Sequence, residues 1–256
     1  MVEIRRMEKR FFERVDAILM AGFCSQESRI DAIRCYVNIQ PDGFYTAFLD
    51  GEPVGTVGAV GYGSFAYIGL MVVHPEHQRK GIGRSLMAFI LNWIDQRGVP
   101  ASILDATAAG APLYEKMNFV DDGFTDLYVL ERTPVDLAES SYVRPASVKD
   151  VPEMVSLDHR IFGADRSRVF DSFLKDAPGR AWIYRDEGGD VKGFLFAQRN
   201  KIGPWTASSI DSARALLCSG LKLPDTPPIE VNMPSPNSEG ARLLMEFGFR
   251  LERHYS

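Results

Sequence analysis

The stretch Val72-Val73-His74-Pro75-Glu76-His77-Gln78-Arg79-Lys80-Gly81-Ile82-Gly83-Arg84-Ser85-Leu86 has the residue types and spacing to hold a phosphate. An apolar run enters it, two glycines sit in its turn and an amphipathic helix leaves it. The first N–H groups of a helix lack intrahelical partners and carry the positive end of its dipole, so a turn without side chains at Gly81 and Gly83 lets an anion approach them. The stretch lacks the Lys-Ser ending of a P-loop and the third glycine of a dinucleotide fingerprint. Downstream, Asp105 and Thr107 fall on one face of a segment read as a strand, Ala101 to Thr107, where Asp105 is able to hold an ammonium group or relay its proton. His74 and His77 flank the cradle and read as loop histidines, and no His, Cys or carboxylate spacing suggests a metal.

The elements that must position these groups are legible around them. Ile82, Leu86, Phe89, Ile90, Trp93 and Ile94 recur at helical spacing, and Arg97, Gly98 and Pro100 close that helix with a basic last turn and a breaker. After the strand ending at Thr107, Ala108-Ala109-Gly110-Ala111-Pro112-Leu113-Tyr114-Glu115-Lys116-Met117-Asn118-Phe119 reads as a turn, a short helix and an exit.

A strand ending at Pro75, then Gln78-x-x-Gly81-x-Gly83, then a long helix resembles the coenzyme A pyrophosphate loop of the GNAT family of N-acetyltransferases. The segment Leu104 to Phe119 resembles the family's second motif, with Asn118-Phe119 where the family usually has Gly-Phe; Asn tolerates the left-handed backbone. The resemblance implies acetyl-CoA as cosubstrate, held by Met71, Val72, Val73, Gln78, Arg79, Lys80, Gly81, Ile82, Gly83, Arg84 and Thr107. It implies that Tyr114 protonates the departing thiolate and that backbone N–H groups of Met71 to Val73 meet the thioester. The glutamate that some relatives carry early on the central strand has no counterpart in Ala66-Tyr67-Ile68-Gly69-Leu70, so Asp105 or a water is left as the base.

The chain has 256 residues, 45% hydrophobic and 25% charged, enough for two modest cores. Its net charge of −5 comes with dispersed basic residues, which gives nucleic-acid binding no electrostatic support and suits a cationic acceptor. Cys24, Cys35 and Cys218 are odd in number and read as reduced thiols. The N-terminal residues lack an apolar run behind their charges, and no run is long enough to span a bilayer, so the expected location is the cytoplasm.

The element order then repeats. From Tyr142 the pattern gives a short strand, helices near Val148 to His159 and Arg166 to Lys175, strands Ala181 to Arg185 and Lys192 to Arg199, a helix Ser209 to Leu221, a strand Ile229 to Met233, a helix Ser238 to Phe247 and a strand near Arg250 to His254. The expected architecture is α/β (α+β): tandem GNAT folds, each with a mixed, largely antiparallel central sheet flanked by helices. The expected divisions are an N-terminal acetyltransferase domain at 1–133, a linker at 134–141 and a degenerate GNAT-like domain at 142–256. In the second half Lys201 to Ala207 replaces the cradle, and its Gly203-Pro204-Trp205 crowds out a phosphate. Asp158, Arg166 and Trp205 are candidates for acceptor contact.

These readings give an acetyl-CoA-dependent N-acetyltransferase acting on the primary amine of a small molecule, as a monomer whose two halves mimic a dimer. An acyl-CoA sensor without turnover, an enzyme acting on protein N-termini or lysines, and a scaffold remain open alternatives.

Overall fold

Asp50 and Gly51 take φ of 52° and 89°, the mirror-image turn that an Asp-Gly pair favours, and so close a hairpin between β2 (Phe44–Leu49) and β3 (Glu52–Gly61). The computed structural model describes residues 2–223 and 228–255 and divides the chain into two compact units, Met1–Leu104 and Asp105–Ser256. In the first unit, β1 (Val2–Arg6), β2, β3, β4 (Ala66–Val73) and β5 (Ser102–Ile103) form a sheet in that order, antiparallel except for the β4–β5 pair. Every residue from Val54 to Val60 of β3 is buried, a pattern that requires cover on both faces. The helices α1 (Phe12–Phe23) and α3 (Ile82–Asp95) supply it, packing on β3 and β4, while α2 (Ile30–Ile39) packs on α1. The apolar stripe of α3, Ile82, Leu86, Met87, Ile90, Trp93 and Ile94, is buried as its periodicity predicts, and Phe89 lies exposed beside it.

The second unit holds α4 (Ala111–Glu115), β6 (Thr125–Leu130), β7 (Val143–Pro145), α5 (Val151–Phe162), α6 (Ser167–Asp176), β8 (Ala181–Arg185), β9 (Val191–Ala197), β10 (Lys201–Ala207), α7 (Ile210–Leu221), β11 (Ile229–Pro234), α8 (Ser238–Glu246) and β12 (Arg250–Tyr255). Its sheet runs β12-β6-β11-β10-β9-β8-β7, with β10 and β11 parallel and the rest antiparallel. One core joins Leu130, Leu195, Leu216, Leu217, Val231, Leu244 and Phe249. Among the described residues no helix is long and apolar enough to cross a membrane.

Three elements differ from expectation. Strand β5 stops at Ile103, so Leu104 to Thr107 is irregular and period-two alternation does not place Asp105 and Thr107 on a strand face. The segment Lys201 to Ala207 is the strand β10: a bulge between Ile202 and Trp205 absorbs Gly203-Pro204, where a proline without an N–H is tolerated, and Ile202 and Thr206 stay buried. Strand β6 precedes the expected linker but lies between β11 and β12 in the sheet of the second unit.

The start of α5 is secured electrostatically. Ser147 and Asp150 form a reciprocal cap, and the buried Asp150 carboxylate takes two bonds from Arg144, at 3.0 and 2.5 Å, and one from Arg185 at 3.3 Å. The Arg144 guanidinium, with the Ser147 bonds, holds the Asp150 carboxyl well below the usual carboxylate range against the opposing effect of burial. A depressed folded-state value means the contribution is complete above the unfolded value of about 4 and drains away as pH falls toward the folded one. Asp150→Asn is expected to lower the urea midpoint at pH 7, and the gap from the parent protein to narrow below about pH 3; a gap independent of pH refutes the electrostatic account.

Candidate active site

Two features of the first unit, both built from backbone, converge at the end of β4. Opposite β4, Thr56 pairs with Val72 and Gly58 with Gly69, so Leu70 and Met71 face the single residue Val57. This is a β-bulge, and Leu70 sits in it at φ 51°. On its other side β4 pairs with β5 only through Ala66 with Ser102 and Tyr67 with Ile103. Beyond that point the β4 edge from Ile68 to Val73, including Met71, Val72 and Val73, has no bond to β5, an opening able to receive an extended chain as an added strand.

The chain then turns through Pro75–His77, and the Gln78 side chain donates to the Val73 carbonyl at 3.1 Å, which ties the loop to the strand end. Arg79 and Gly81 both take positive φ, 63° and 82°, with Lys80 between them. Alternation of this kind turns successive N–H groups toward one concave side and forms an anion nest. Helix α3 starts at Ile82, and no side chain caps its first turn. A Cβ added at Gly81 meets nothing within 4 Å, so the space before the helix is open. Arg79, Lys80 and Arg84 are exposed, Lys80 reaching the Glu76 carbonyl at 3.0 Å, while Gly83 is already the second residue of the helix. The glycine turn and the open helix start expected from the spacing are both present.

In the second unit the segment that begins at Asp105 carries the remaining candidates. Asp105 is half-buried and accepts from the Thr125 hydroxyl at 2.8 Å. Thr107 shapes a turn: its carbonyl accepts from Gly110 and Ala111, at 2.8 and 2.9 Å, and its hydroxyl oxygen from the Gly110 N–H at 3.2 Å. Pro112 enters the first turn of α4, where its missing N–H costs nothing. Tyr114 rests on Gly110, where a Cβ would stand 3.0 Å from the ring, and lies 5.9 Å from the Phe119 ring centroid. Burial pushes its phenol above the ordinary tyrosine value, which keeps it protonated through the physiological range. Asn118 takes φ 65° and ends the short helix in the left-handed conformation expected of it.

Comparison with known proteins decides the family. A sequence profile described as Acetyltransferase (GNAT) family matches residues 3–119, and another, described as Acetyltransferase (GNAT) domain, matches residues 154–255. The chain belongs to the GNAT acetyltransferase family. Among its relatives is an uncharacterized N-acetyltransferase, YitH, of Bacillus subtilis, 27% identical over 206 residues that make up 78% of this chain and 72% of that one. A holothin acyltransferase of a Pseudoalteromonas species is 24% identical over 84% of this chain and 73% of its own length. A putative acetyltransferase from Pyrococcus horikoshii matches in structure with a TM-score of 0.87 and 29% identity, over 99% of this chain and 87% of that one. A tandem GNAT protein from the clavulanic acid biosynthesis pathway shares the fold, with a TM-score of 0.68 and 14% identity, over 100% and 97% of the two chains.

The second GNAT fold repeats the parallel strand pair and the helix that joins it, with a different helix start. Only Ser208 and Ser209 separate β10 from α7, and the Ser209 hydroxyl accepts from the Ser212 N–H at 3.2 Å while the Ser212 hydroxyl donates to the Ser209 carbonyl at 2.8 Å. The helix start that is open in α3 is closed in α7 by its own side chains.

The structure also revises the expected acceptor contacts. Asp158 has no exposure, and its carboxylate takes bonds from Arg166 at 2.8 and 2.6 Å and from Thr206 at 2.9 Å. The Arg166 guanidinium lies 3.9 Å above the Phe162 ring, so the pair is a buried strut joining α5, α6 and β10. Trp205 precedes Thr206 on the strand, points to the opposite face and packs on the core with Leu195 and Leu216. The three residues therefore do not form one pocket, and Asp158 is out of reach of an incoming molecule. Asp158→Asn is expected to cost about 3 kcal/mol in urea unfolding, because Arg166 is left as a buried charge without its counterion; a loss under about 1 kcal/mol contradicts the strut.

Proposed function

We propose that this GNAT protein is an acetyl-CoA-dependent N-acetyltransferase that transfers acetyl to the primary amine of a small molecule by direct attack in a ternary complex. The observation that carries the reading is the uncapped start of α3, preceded by the left-handed Arg79 and Gly81 and adjoining the unpaired, bulged edge of β4. Those backbone groups fit a diphosphate followed by an extended amide-bearing arm, the two parts of a CoA thioester nearest its acyl group. Acetyl-CoA supplies an activated acyl carbon and a thiol leaving group.

The residues then have separate tasks. The amides between Gln78 and Arg84, with the exposed Arg79 and Arg84 side chains, hold the diphosphate; Lys80, anchored on the Glu76 carbonyl, adds positive charge. Backbone N–H groups of Met71 to Val73 pair with the arm and face the carbonyl oxygen as charge develops on it. Thr107 sets the turn that launches α4, and Tyr114 donates the proton that leaves with the thiol. An alkylammonium with a reference pKa of about 10.4 must lose a proton before attack, and we assign Asp105, oriented by Thr125, to hold that ammonium or relay its proton to water. A relative named for acyl transfer to holothin supports turnover over binding alone. The sheet of the second unit is completed by β6 of the same chain, which supports a monomer, and the odd number of cysteines, Cys24, Cys35 and Cys218, suits the cytoplasm.

Calorimetry with CoA and acetyl-CoA, followed by thiol release against a panel of amines, amino acids and aminoglycosides, tests the reading. Binding with turnover on an amine is the expected result. Tight binding without turnover on any amine, peptide or protein makes the chain an acyl-CoA sensor, and absence of binding by well-folded protein overturns the site.

A further inference from the structure

The turn leading into the cradle gathers donors of a different kind. Among the described residues, His74, Glu76 and His77 each offer a ligand-type atom, and all three atoms lie within 4.8 Å of one another. The turn Pro75–His77 does this: its 3-10 geometry, closed by the His77 N–H on the His74 carbonyl at 2.8 Å, brings residues three apart to one side. His74 Nδ1 stands 4.0 Å from Glu76 Oε2, and the two imidazole centroids are 5.9 Å apart. Both Nδ1 atoms are buried, and neither has a hydrogen-bond partner. One unpaired buried nitrogen is a cost that a fold tolerates; two in a single turn beside a carboxylate point to a ligand. Glu76 is largely exposed and its carboxylate is free to swing inward.

We propose that His74, Glu76 and His77 form a divalent-cation site suited to zinc. Two imidazole nitrogens and one carboxylate oxygen are the three-ligand set of a four-coordinate zinc with water in the fourth position, whereas calcium and magnesium select oxygens. Zinc with bonds of about 2.1 Å sets its ligand atoms about 3.4 Å apart, so the 4.0 Å between Nδ1 and Oε2 closes with a small rotation of Glu76. The cation satisfies both orphaned nitrogens and pins the turn from which Gln78 and the phosphate nest follow. The acetyl transfer proposed above does not need it, and the site stands or falls separately from CoA binding.

The test uses full-length protein freed of any affinity tag and dialysed against a chelator, titrated with zinc chloride in a calorimeter and with cobalt(II) in a spectrophotometer. One equivalent should bind, with the intense visible bands of tetrahedral cobalt and no thiolate charge-transfer band. His74→Gln and His77→Gln should each weaken binding by about 10- to 100-fold, and zinc should raise the thermal midpoint of the parent protein but not of His77→Gln. Glu76→Gln, at an exposed position, should also weaken binding and keeps the test decisive if a histidine variant does not fold. No binding up to about 1 mM zinc, binding unchanged in these variants, or a thiolate band pointing to the cysteines overturns the site.

Discussion

Gly81→Val is expected to weaken CoA binding about 100-fold while shifting the unfolding midpoint by only a few degrees. Gly81 sits at φ 82°, a conformation that a β-branched residue adopts only under strain of about 1–3 kcal/mol. Its Cβ meets no neighbour, so the substitution does not collide with the fold. The damage falls on the nest instead. If the backbone keeps its positive φ, the branched side chain stands in the open space before the uncapped α3; if it relaxes to negative φ, the amides of the loop turn away from the anion. Either path removes the diphosphate contact, and about 2.7 kcal/mol of binding corresponds to a hundredfold change. Gly81→Ala, with a smaller side chain, should lose about 10-fold. Calorimetry on both variants decides it: an unchanged Kd in well-folded Gly81→Val means that the cradle does not bind CoA.

The turn into α3 and the helix itself were legible because their signals are local. Glycine spacing, the helical recurrence from Ile82 to Ile94 and the left-handed tolerance of Asn118 each depend on a few neighbouring residues, and all reappear in the structure. What the sequence misplaced depends on distant partners. Thr125 to Leu130 becomes a strand because β11 and β12, about a hundred residues later, flank it, and β5 is short because only two of its residues find β4. Gly203-Pro204-Trp205 reads locally only as a turn that crowds out a phosphate; Phe194 and Leu195 supply the register and bulge that make it part of a strand. Asp158 and Arg166 resemble a pocket in a string of residues; the complete burial of Asp158 against Thr206 and the stacking of Arg166 on Phe162 are tertiary facts. The clustering of His74, Glu76 and His77 depends on the 3-10 turn between them, which their spacing alone did not disclose.

The two folds of the chain also differ in how their long helices begin. Each has a parallel strand pair joined by a long helix, so the dipole and the first N–H groups of α3 have counterparts in α7. The difference is in what meets them. Before α3 the chain spends eight residues, His74 to Gly81, in a turn whose left-handed Arg79 and Gly81 lead into an uncapped helix start; before α7 it spends two, Ser208 and Ser209, and the Ser209 hydroxyl accepts from the Ser212 N–H. A capped helix start is more stable by itself and has fewer open N–H groups to offer a ligand.

Tyr114→Phe is expected to lower kcat by about 10²- to 10⁴-fold with little change in CoA affinity. Among the described residues no protein group bonds the Tyr114 hydroxyl, and the phenylalanine keeps the ring contacts with Gly110 and Phe119, so the fold has no reason to change. The pH profile separates a proton donor from a packed aromatic. Burial raises the phenol above its ordinary value of about 10, so the active, protonated form persists through neutrality and the rate falls only as pH rises through that raised value. In Tyr114→Phe that alkaline fall should vanish, while the limb set by deprotonation of the substrate amine remains. If Tyr114 only fills space, Phe fills it equally well, and both kcat and the alkaline limb stay as they were. If instead KM for acetyl-CoA rises while kcat holds, the ring positions the cosubstrate and the proton reaches the thiolate from water.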